Sequence, residues 1–343
     1  MRAALRDILC GTGLLIGAAL FAQTSPFNGK ALGPVGPDGA FRVLFSGHFH
    51  GSSGNRTGAP AATLQANIDV LNASGAHALL STGDLFMDPA VDTVLYRRAL
   101  FDRLTLPLFN AVGNHDLSGD TYQQAFGNTF LAFDLGDASF VVLDTERDNG
   151  SIRGEQLEAL RALAQRTDRK QVFLVSHRPV WADADPTYGP LFAGNTRSVL
   201  GTNYVKEVWP VVQAIAAHTP VYWISGSMAG GAPASVFFQP HAPNITFIQS
   251  AIRDTPRDAM LVADVAADGV KWHLLPLTTQ PVLAAEALDA AYWARNKGKK
   301  EAFNWRLLPY LVKSTVLHRN FWWGVLAAFL VGGLLRMILR RIL

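Results

Sequence analysis

Five apolar runs of this chain each end in a short polar segment, which we call a tip, and this repeated pattern constrains the fold more than any other feature. The runs begin at Phe41, Ala78, Leu106, Gln171 and Val221. Short apolar runs that stop abruptly at such segments are typical of buried strands. Because the carboxyl ends of parallel strands meet at one edge of a sheet, we expect the tips to form a single binding rim.

The tips carry side chains that can bind metal or move protons. In the third tip, Asn114 offers a carbonyl oxygen, His115 a proton or a hydrogen bond to a phosphoryl oxygen, and Asp116 a carboxylate that can fix a neighbouring imidazole. In the first tip, His48 and His50 alternate along an extended segment, so they point the same way and could hold one ion together. The second and fourth tips contribute Asp84 and His177.

The tips, taken in order, resemble the sequence blocks of the calcineurin-like metallophosphoesterases. The matching stretches are His48-Phe49-His50, Gly83-Asp84 with Asp88, Gly113-Asn114-His115-Asp116, Ser176-His177 and Gly226-Ser227-Met228-Ala229. The likeness extends from Phe41 to Pro276. It implies an α/β fold in which two packed mixed β-sheets are flanked by helices in four layers. It also implies a hydrolase that cleaves a phosphomonoester or a phosphodiester.

The resemblance implies a ligand set for one or two divalent or trivalent metal ions, with zinc, manganese or iron as the candidates. Family members bind two ions that are bridged by the carboxylate of the second block, which here is Asp84. One ion would be held by His48, His50 and Asp84. The other would be held by Asp84, Asn114 and His177.

The chain departs from the family in its first and last blocks. His48 stands where the family has aspartate, and Ser227 and Ala229 stand where it has histidines. A neutral imidazole in place of a carboxylate shifts the preference towards softer transition metals. Three protein ligands plus water still form a catalytic site with an open coordination position, so a hydrolase with one metal ion, or with two loosely bound ions, is compatible with the sequence. The alternative is a decayed site in a membrane-tethered binding or assembly factor.

The resemblance and the loops around the fourth tip suggest catalytic and substrate-binding roles. His115 would protonate the leaving oxygen, and Asp116 would orient His115. A long irregular region from Arg178 to Tyr204 is expected to form the substrate wall, because loops of this length in compact domains are usually functional or mobile. Arg178 and Arg197 are its candidate phosphate partners.

Between the tips, apolar residues at helical spacing predict helices over residues 63–71 and 93–104, as parallel crossovers require. Asp92 is expected to cap the second of these helices. A hairpin signal at Gly136-Asp137 follows the third tip. Asp144 and Glu146, just beyond the hairpin, are expected to be solvated turn residues.

The chain is 49% hydrophobic and 17% charged, which is more apolar than is usual for a soluble protein. The excess of apolar residues lies at the two ends of the chain. A basic start and the apolar run from Ile8 to Ala22 predict a signal peptide or a retained anchor over residues 1–22. Residues 23–40, rich in glycine and proline, predict a linker before the domain at 41–276. Residues 277–320 are expected to form a juxtamembrane helical segment.

Residues 321–343 are predicted to form a transmembrane helix, with a helix lying in the membrane surface as the alternative. Its terminal arginines, Arg336, Arg340 and Arg341, suit the cytoplasmic side, which leaves the catalytic domain on the extracytoplasmic, periplasmic side. The expected substrate is a phosphorylated small molecule or a lipid-linked or envelope phosphate. The net charge of +3 comes without a basic stripe among aromatics, so we do not predict nucleic-acid binding. The single cysteine, Cys10, excludes an intrachain disulfide.

Overall fold

The computed structural model describes residues 23–52, 54–192, 202–228, 231–299, 305–317 and 319–342. The strands within these ranges are β1 (Phe41–Ser46), β2 (Ala78–Ser81), β3 (Leu108–Asn110), β4 (Leu131–Leu135), β5 (Ala138–Val142), β6 (Gln171–Ser176), β7 (Val221–Ser225), β8 (Val236–Ala242), β9 (Ile245–Ser250), β10 (Ala259–Ala266) and β11 (Gly269–Pro276). They form two mixed sheets, in the orders β11-β10-β1-β2-β3 and β4-β5-β6-β7-β9-β8.

The helices are α1 (Ala62–Ala66), α2 (Ile68–Asn72), α3 (Pro89–Tyr96), α4 (Thr121–Phe126), α5 (Gly154–Ala164), α6 (Gly189–Phe192), α7 (Trp209–Ala216), α8 (Ala290–Asn296), α9 (Leu308–Leu317) and α10 (Arg319–Ile342). A wider turn at Arg97–Phe101 continues α3, and another at Tyr204–Val208 leads into α7. The predicted helix over residues 63–71 is divided at Asn67 into α1 and α2. The Asn67 amide there donates to the Leu277 carbonyl, at 2.8 Å.

Alternation along β1 explains how the sheets form the middle of four layers. Val43 and Phe45 face the second sheet, where they join a buried cluster with Phe173. Leu44 faces the opposite way, into a cluster that includes Leu64 of α1. The second sheet likewise has an outer cluster, formed with α5 and α7. The fold class predicted from the sequence, two mixed sheets flanked by helices, is confirmed.

Strand register brings the tips to one level. The pairs Ser46↔Ser81 and Ser81↔Asn110 end β1, β2 and β3 flush with one another. In the second sheet, Ser176↔Ser225 does the same for β6 and β7. The parallel pairing at these strands places all five tips on the same edge of the two-sheet core.

The helix cap at α3 differs from the prediction. Asp88, not Asp92, occupies the cap position, and its carboxylate accepts from the Ala90 N–H at 3.0 Å. The Asp92 carboxylate instead accepts from the N–H groups of Met87 and Asp88, at 2.9 and 3.0 Å. The helix therefore begins earlier than its apolar spacing indicated, at Pro89, because Asp88 caps it there and proline suits the first helical position.

The globular unit is longer at both ends than the segment predicted from the resemblance. In the stretch predicted as a linker, Phe27 is 7% exposed and packs against the rings of Phe101 and Phe126. Beyond Pro276, Trp293 of α8 is fully buried and donates its indole N–H to the Val236 carbonyl at 3.1 Å. Both segments therefore belong to the folded core.

The last helix that the structure describes, α10, touches α9 at its start and is otherwise exposed among the described residues. Among the described residues, Arg319–Arg341 is long and apolar enough to cross a membrane, with a mean hydropathy of 1.8 and no part of it buried. This agrees with the predicted C-terminal segment. The predicted N-terminal signal or anchor, residues 1–22, lies outside the described residues.

Candidate metal centre

Three buried imidazoles face the carboxylate of Asp84. The distance from Asp84 Oδ2 to Nε2 is 3.6 Å for both His48 and His50. For His177 the same distance is 3.5 Å. These separations exceed normal hydrogen bonds. They are close to the spacing of two ligands on one zinc ion, since atoms about 2.1 Å from the metal at a tetrahedral angle lie about 3.4 Å apart.

The protonation pattern of these rings favours a cation between them. His177 Nδ1 lies 3.0 Å from the Thr82 carbonyl oxygen. A carbonyl can only accept, so Nδ1 of His177 carries a proton and Nε2 is the nitrogen that faces Asp84. Burial lowers the pKa of His48 well below its usual value, which favours the neutral ring, whose unprotonated nitrogen carries a lone pair. A lone pair that faces a carboxylate is unfavourable unless a positive ion lies between them.

Unpartnered ring nitrogens at the same place also indicate a bound cation. Both ring nitrogens of His50 and Nδ1 of His48 are buried without a hydrogen-bond partner among the described residues. Buried polar atoms are normally satisfied, and each such exception needs an explanation. Burial alone raises the pKa of Asp84, but positive charge facing its carboxylate, on the imidazoles of His177, His50 and His48, would outweigh burial and hold that pKa below its usual range, and a bound cation would act in the same direction. Imidazole nitrogens with one carboxylate oxygen therefore fit a zinc, iron or manganese ion.

The candidate ligand atoms fall into two groups that share Asp84. One group contains His48, Asp84 and His177, and the other contains His50, Asp84 and His115, with the atoms of each within 4.8 Å of one another. The resemblance instead pairs His48 with His50. The structure places the His115 ring beside that of His50, with centroids 5.2 Å apart, and leaves Asn114 partly exposed on the loop after β3.

Close backbone approach explains why glycine flanks these side chains. A Cβ atom at Gly113 would overlap the carboxylate and the backbone nitrogen of Asp84, and one at Gly83 would overlap the His177 ring. Asp84 itself has a φ of 56°, in the left-handed region that non-glycine residues rarely adopt. Such strain, of order 1 to 3 kcal/mol, clusters at functional sites.

The structure gives Asp116 different contacts from those predicted. Its carboxylate accepts from the N–H groups of Phe86 and Gly113, each at 2.9 Å, and from the Asn110 amide at 3.1 Å. The predicted orienting contact to the His115 ring is replaced by the Met87 carbonyl, 3.3 Å from His115 Nδ1. Burial, and then the charge of Asp84, raise the pKa of Asp116 to about 6. Asp116 therefore holds the second and third tips together.

Arg178 is occupied by a partner within the protein. Its Nε and Nη2 donate to the two carboxylate oxygens of Glu146, at 2.8 and 2.6 Å, and both side chains are 6% exposed. Asp144 is also buried and accepts from the Thr129 hydroxyl at 2.6 Å. The prediction that Asp144 and Glu146 are solvated turn residues is wrong. The Thr129 hydroxyl donates to the Asp144 carboxylate and the Arg178 guanidinium to that of Glu146, and both carboxylates are buried by these contacts. The other candidate phosphate partner, Arg197, lies outside the described residues.

Arg253 was missed by the sequence analysis. It follows β9, which reads as a closing strand, although the apolar run there also ends in a polar segment, Arg253-Asp254. The Ile252 N–H donates to the Gly47 carbonyl at 3.1 Å, next to His48. Arg253 is partly buried, and burial, followed by the charge of Arg257, lowers its pKa against the opposing charges of Asp258 and Asp84. The sequence did contain a signal for Arg253, since the polar segment after β9 resembles the five tips, but this segment has no histidine.

Comparison with known proteins gave no match to a protein-family model and none to a curated protein sequence. Among solved structures, the chain is similar to a dimetal phosphatase from Danio rerio, with 15% identity, a TM-score of 0.46, and coverage of 69% of this chain and 99% of that one. It is similar to the purple acid phosphatase PPD1 of yellow lupin, with 12% identity, a TM-score of 0.46, and coverage of 74% and 55%. A predicted phosphoesterase from Streptococcus pneumoniae has 14% identity, a TM-score of 0.33, and coverage of 71% and 94%.

Proposed function

We propose that this protein is a membrane-attached, metal-dependent phosphoesterase. The observation that carries the proposal is the approach of three buried imidazole nitrogens to one oxygen of Asp84, at 3.5 to 3.6 Å. His48, His50 and His177 would hold one or two ions together with Asp84, and Asn114 is the further candidate ligand. Zinc, manganese and iron suit this donor set.

The chain's own residues can assist the cleavage of a phosphoester. A bound transition-metal ion supplies a Lewis acid for a phosphoryl oxygen and lowers the pKa of water. His115 lies half-buried at the rim. Because the Met87 carbonyl accepts from Nδ1 of His115, Nε2 of the doubly protonated ring is the nitrogen that would deliver a proton to the leaving oxygen. Burial lowers the pKa of His115, which makes that protonated ring a stronger acid.

The position of α9 supports a phosphate carried by a membrane component. Leu307, just before α9, is buried, and the helix packs against α1. On its outward side, Leu308, Val312 and Val316 are exposed at intervals of four residues and form one apolar stripe. The start of α1 is tied to the first tip, since the Ala61 N–H donates to the Phe49 carbonyl at 2.7 Å.

The corner between α9 and α10 relates this stripe to the membrane. The Trp322 indole of α10 donates to the Val316 carbonyl of α9, at 2.9 Å. If α10 crosses the bilayer, the stripe lies in the membrane surface, and the metal centre lies behind α1, roughly one or two helix diameters of about 10 Å away. The arginines at the far end of α10 favour an extracytoplasmic domain. A lipid-linked or envelope phosphate would then be within reach.

Metal analysis and turnover of the full chain in detergent would test the enzyme. We expect bound metal in the purified protein, and hydrolysis of an aryl phosphomonoester or phosphodiester with added zinc, manganese or iron. Asp84→Asn should remove both. Asp88→Asn is the matched control, because Asp88 belongs to the same sequence block but caps α3, a role that asparagine also fills.

The result also decides between the two interpretations of the site. Wild-type protein without bound metal and without turnover would contradict the enzyme and favour the decayed binding factor suggested by Ser227. A separate measurement addresses the membrane. Val312→Ser should reduce hydrolysis of a phosphate presented on phospholipid vesicles and leave hydrolysis of a soluble aryl phosphate unchanged. Equal effects on the two substrates would argue against a membrane-borne phosphate.

A further inference from the structure

We propose that Arg253 binds the phosphoryl oxygens of the substrate at the metal centre. The proposal rests on the phosphoesterase function and names the residue that supplies its anion-binding cation. It rests on three observations: the place of Arg253 between two tips, the free donors of its guanidinium, and the pairing of Arg178 with another residue.

Backbone hydrogen bonds fix Arg253 beside the first tip. The preceding residue, Ile252, donates to the Gly47 carbonyl at 3.1 Å. The N–H of Arg253 itself donates to the buried carboxylate of Asp258, at 3.1 Å to Oδ1. Asp258 also accepts from the N–H of Thr255 at 3.1 Å, so the loop that carries Arg253 is closed on a single acceptor. The side chain therefore starts from a rigid base.

The guanidinium reaches from the first tip to the last one. Its Nη1 donates to the Met228 carbonyl at 3.0 Å, and Met228 follows Ser227 in the tip where the resemblance leads one to expect histidine. Among the described residues, Nη1 is the atom of the Arg253 guanidinium that makes a hydrogen bond, which leaves Nε and Nη2 for a ligand. The charge of Arg253 acts on His48 and is itself acted on by Asp84. Free donors of a fixed cation thus lie beside the candidate ligands.

Chemistry favours a phosphoryl group as the partner of these donors. A guanidinium presents a planar fork of N–H groups that matches two oxygens of one phosphate, and charge-assisted bonds of this kind are stronger than neutral ones. Partial burial strengthens the attraction, because the local dielectric constant is below that of water. Arg178 cannot supply the same fork, because Glu146 occupies its Nε and Nη2. Arg253, in contrast, uses only Nη1 in a hydrogen bond among the described residues.

Inorganic phosphate binding to the metal-loaded full chain in detergent, measured by isothermal titration calorimetry, would test the role directly. We expect Arg253→Gln to weaken phosphate binding by about ten- to one-hundred-fold, the effect of losing hydrogen bonds from a charged donor. Arg253→Lys keeps the charge but not the fork, so its loss should be smaller. The metal content should be the same in all three proteins, and KM should rise more than kcat falls.

Arg257→Gln is the control, because Arg257 lies on the same loop but directs Nη1 to the Ser235 hydroxyl, at 3.5 Å. It should change phosphate affinity much less than Arg253→Gln does. If Arg253→Gln and Arg253→Lys lower the unfolding temperature while phosphate affinity stays at the wild-type value, Arg253 is a structural tie and the assignment is overturned. That outcome, with metal and turnover intact in the wild type, leaves the phosphoesterase standing. Absence of metal and turnover in the wild type would instead overturn the enzyme itself.

Discussion

The pairing of Arg178 with Glu146 allows a quantitative test of a residue that sequence reasoning assigns to the substrate. Both side chains are 6% exposed, and two hydrogen bonds of 2.8 and 2.6 Å join them. Removing one partner of a buried ion pair strands the other charge and typically costs about 3 to 5 kcal/mol. We expect Glu146→Ala and Arg178→Ala each to lower the free energy of unfolding by about that amount.

The double variant should lose much less than the sum of the two, since no charge is left unpaired. Urea unfolding followed by tryptophan fluorescence would report the three values, because Trp181 and Trp223 are fully buried in the second sheet's outer cluster. KM for an aryl phosphate, measured on the folded variants, would show separately whether Arg178 contacts the substrate. Additive losses of stability, or a large rise of KM for Arg178→Ala with normal stability, would show that Arg178 serves the substrate and that our assignment of the pair is mistaken.

Three further predictions concern other parts of the molecule. Burial raises the pKa of Asp254 from 3.8 to about 6, so its contribution to stability is full below pH about 4 and is lost as the pH rises through about 6. In urea titrations, Asp254→Asn should therefore raise the free energy of unfolding by up to about 3 kcal/mol at pH 7.5 and by little at pH 4. An equal effect at both pH values would contradict this. Phe27→Ala should lower the free energy of unfolding by about 3 to 5 kcal/mol in the same assay, whereas a true linker residue would show almost no change. Gly113→Ala should reduce the metal content found by elemental analysis, since the added Cβ overlaps Asp84, while Gly33→Ala, which meets no neighbour, should not; normal metal content in the first variant would refute the close approach.

The parts of the fold that sequence predicts well are those that depend on short-range pattern. Apolar runs such as the one before Asp84 announce buried strands, and a polar tip marks the end of each. Parallel pairing then brings distant tips to one edge, which is why His48 and His177 could be expected to lie together. The hairpin and the helical crossovers follow from the same local signals.

The parts that sequence does not reveal depend on partners far apart in the chain. Arg178 looks like a phosphate ligand until Glu146, 32 residues earlier, is seen to occupy it. Phe27 lies in a stretch rich in glycine and proline, and only the rings of Phe101 and Phe126 make it a core residue. Arg253 stands beside the first tip because Ile252 binds Gly47, a contact that no local periodicity encodes.

Thr82 joins the two sheets at the centre of the site. Its carbonyl accepts from His177, which follows a strand of the second sheet, and its hydroxyl donates to the Ser250 carbonyl at 2.8 Å, at the end of another strand of that sheet. The candidate ligands therefore come from both sheets and not from one, and the distances between them depend on how firmly the two sheets pack together. Mutations in the apolar core between the two sheets, far from the candidate ligands, should thus lower the affinity for metal before they unfold the chain.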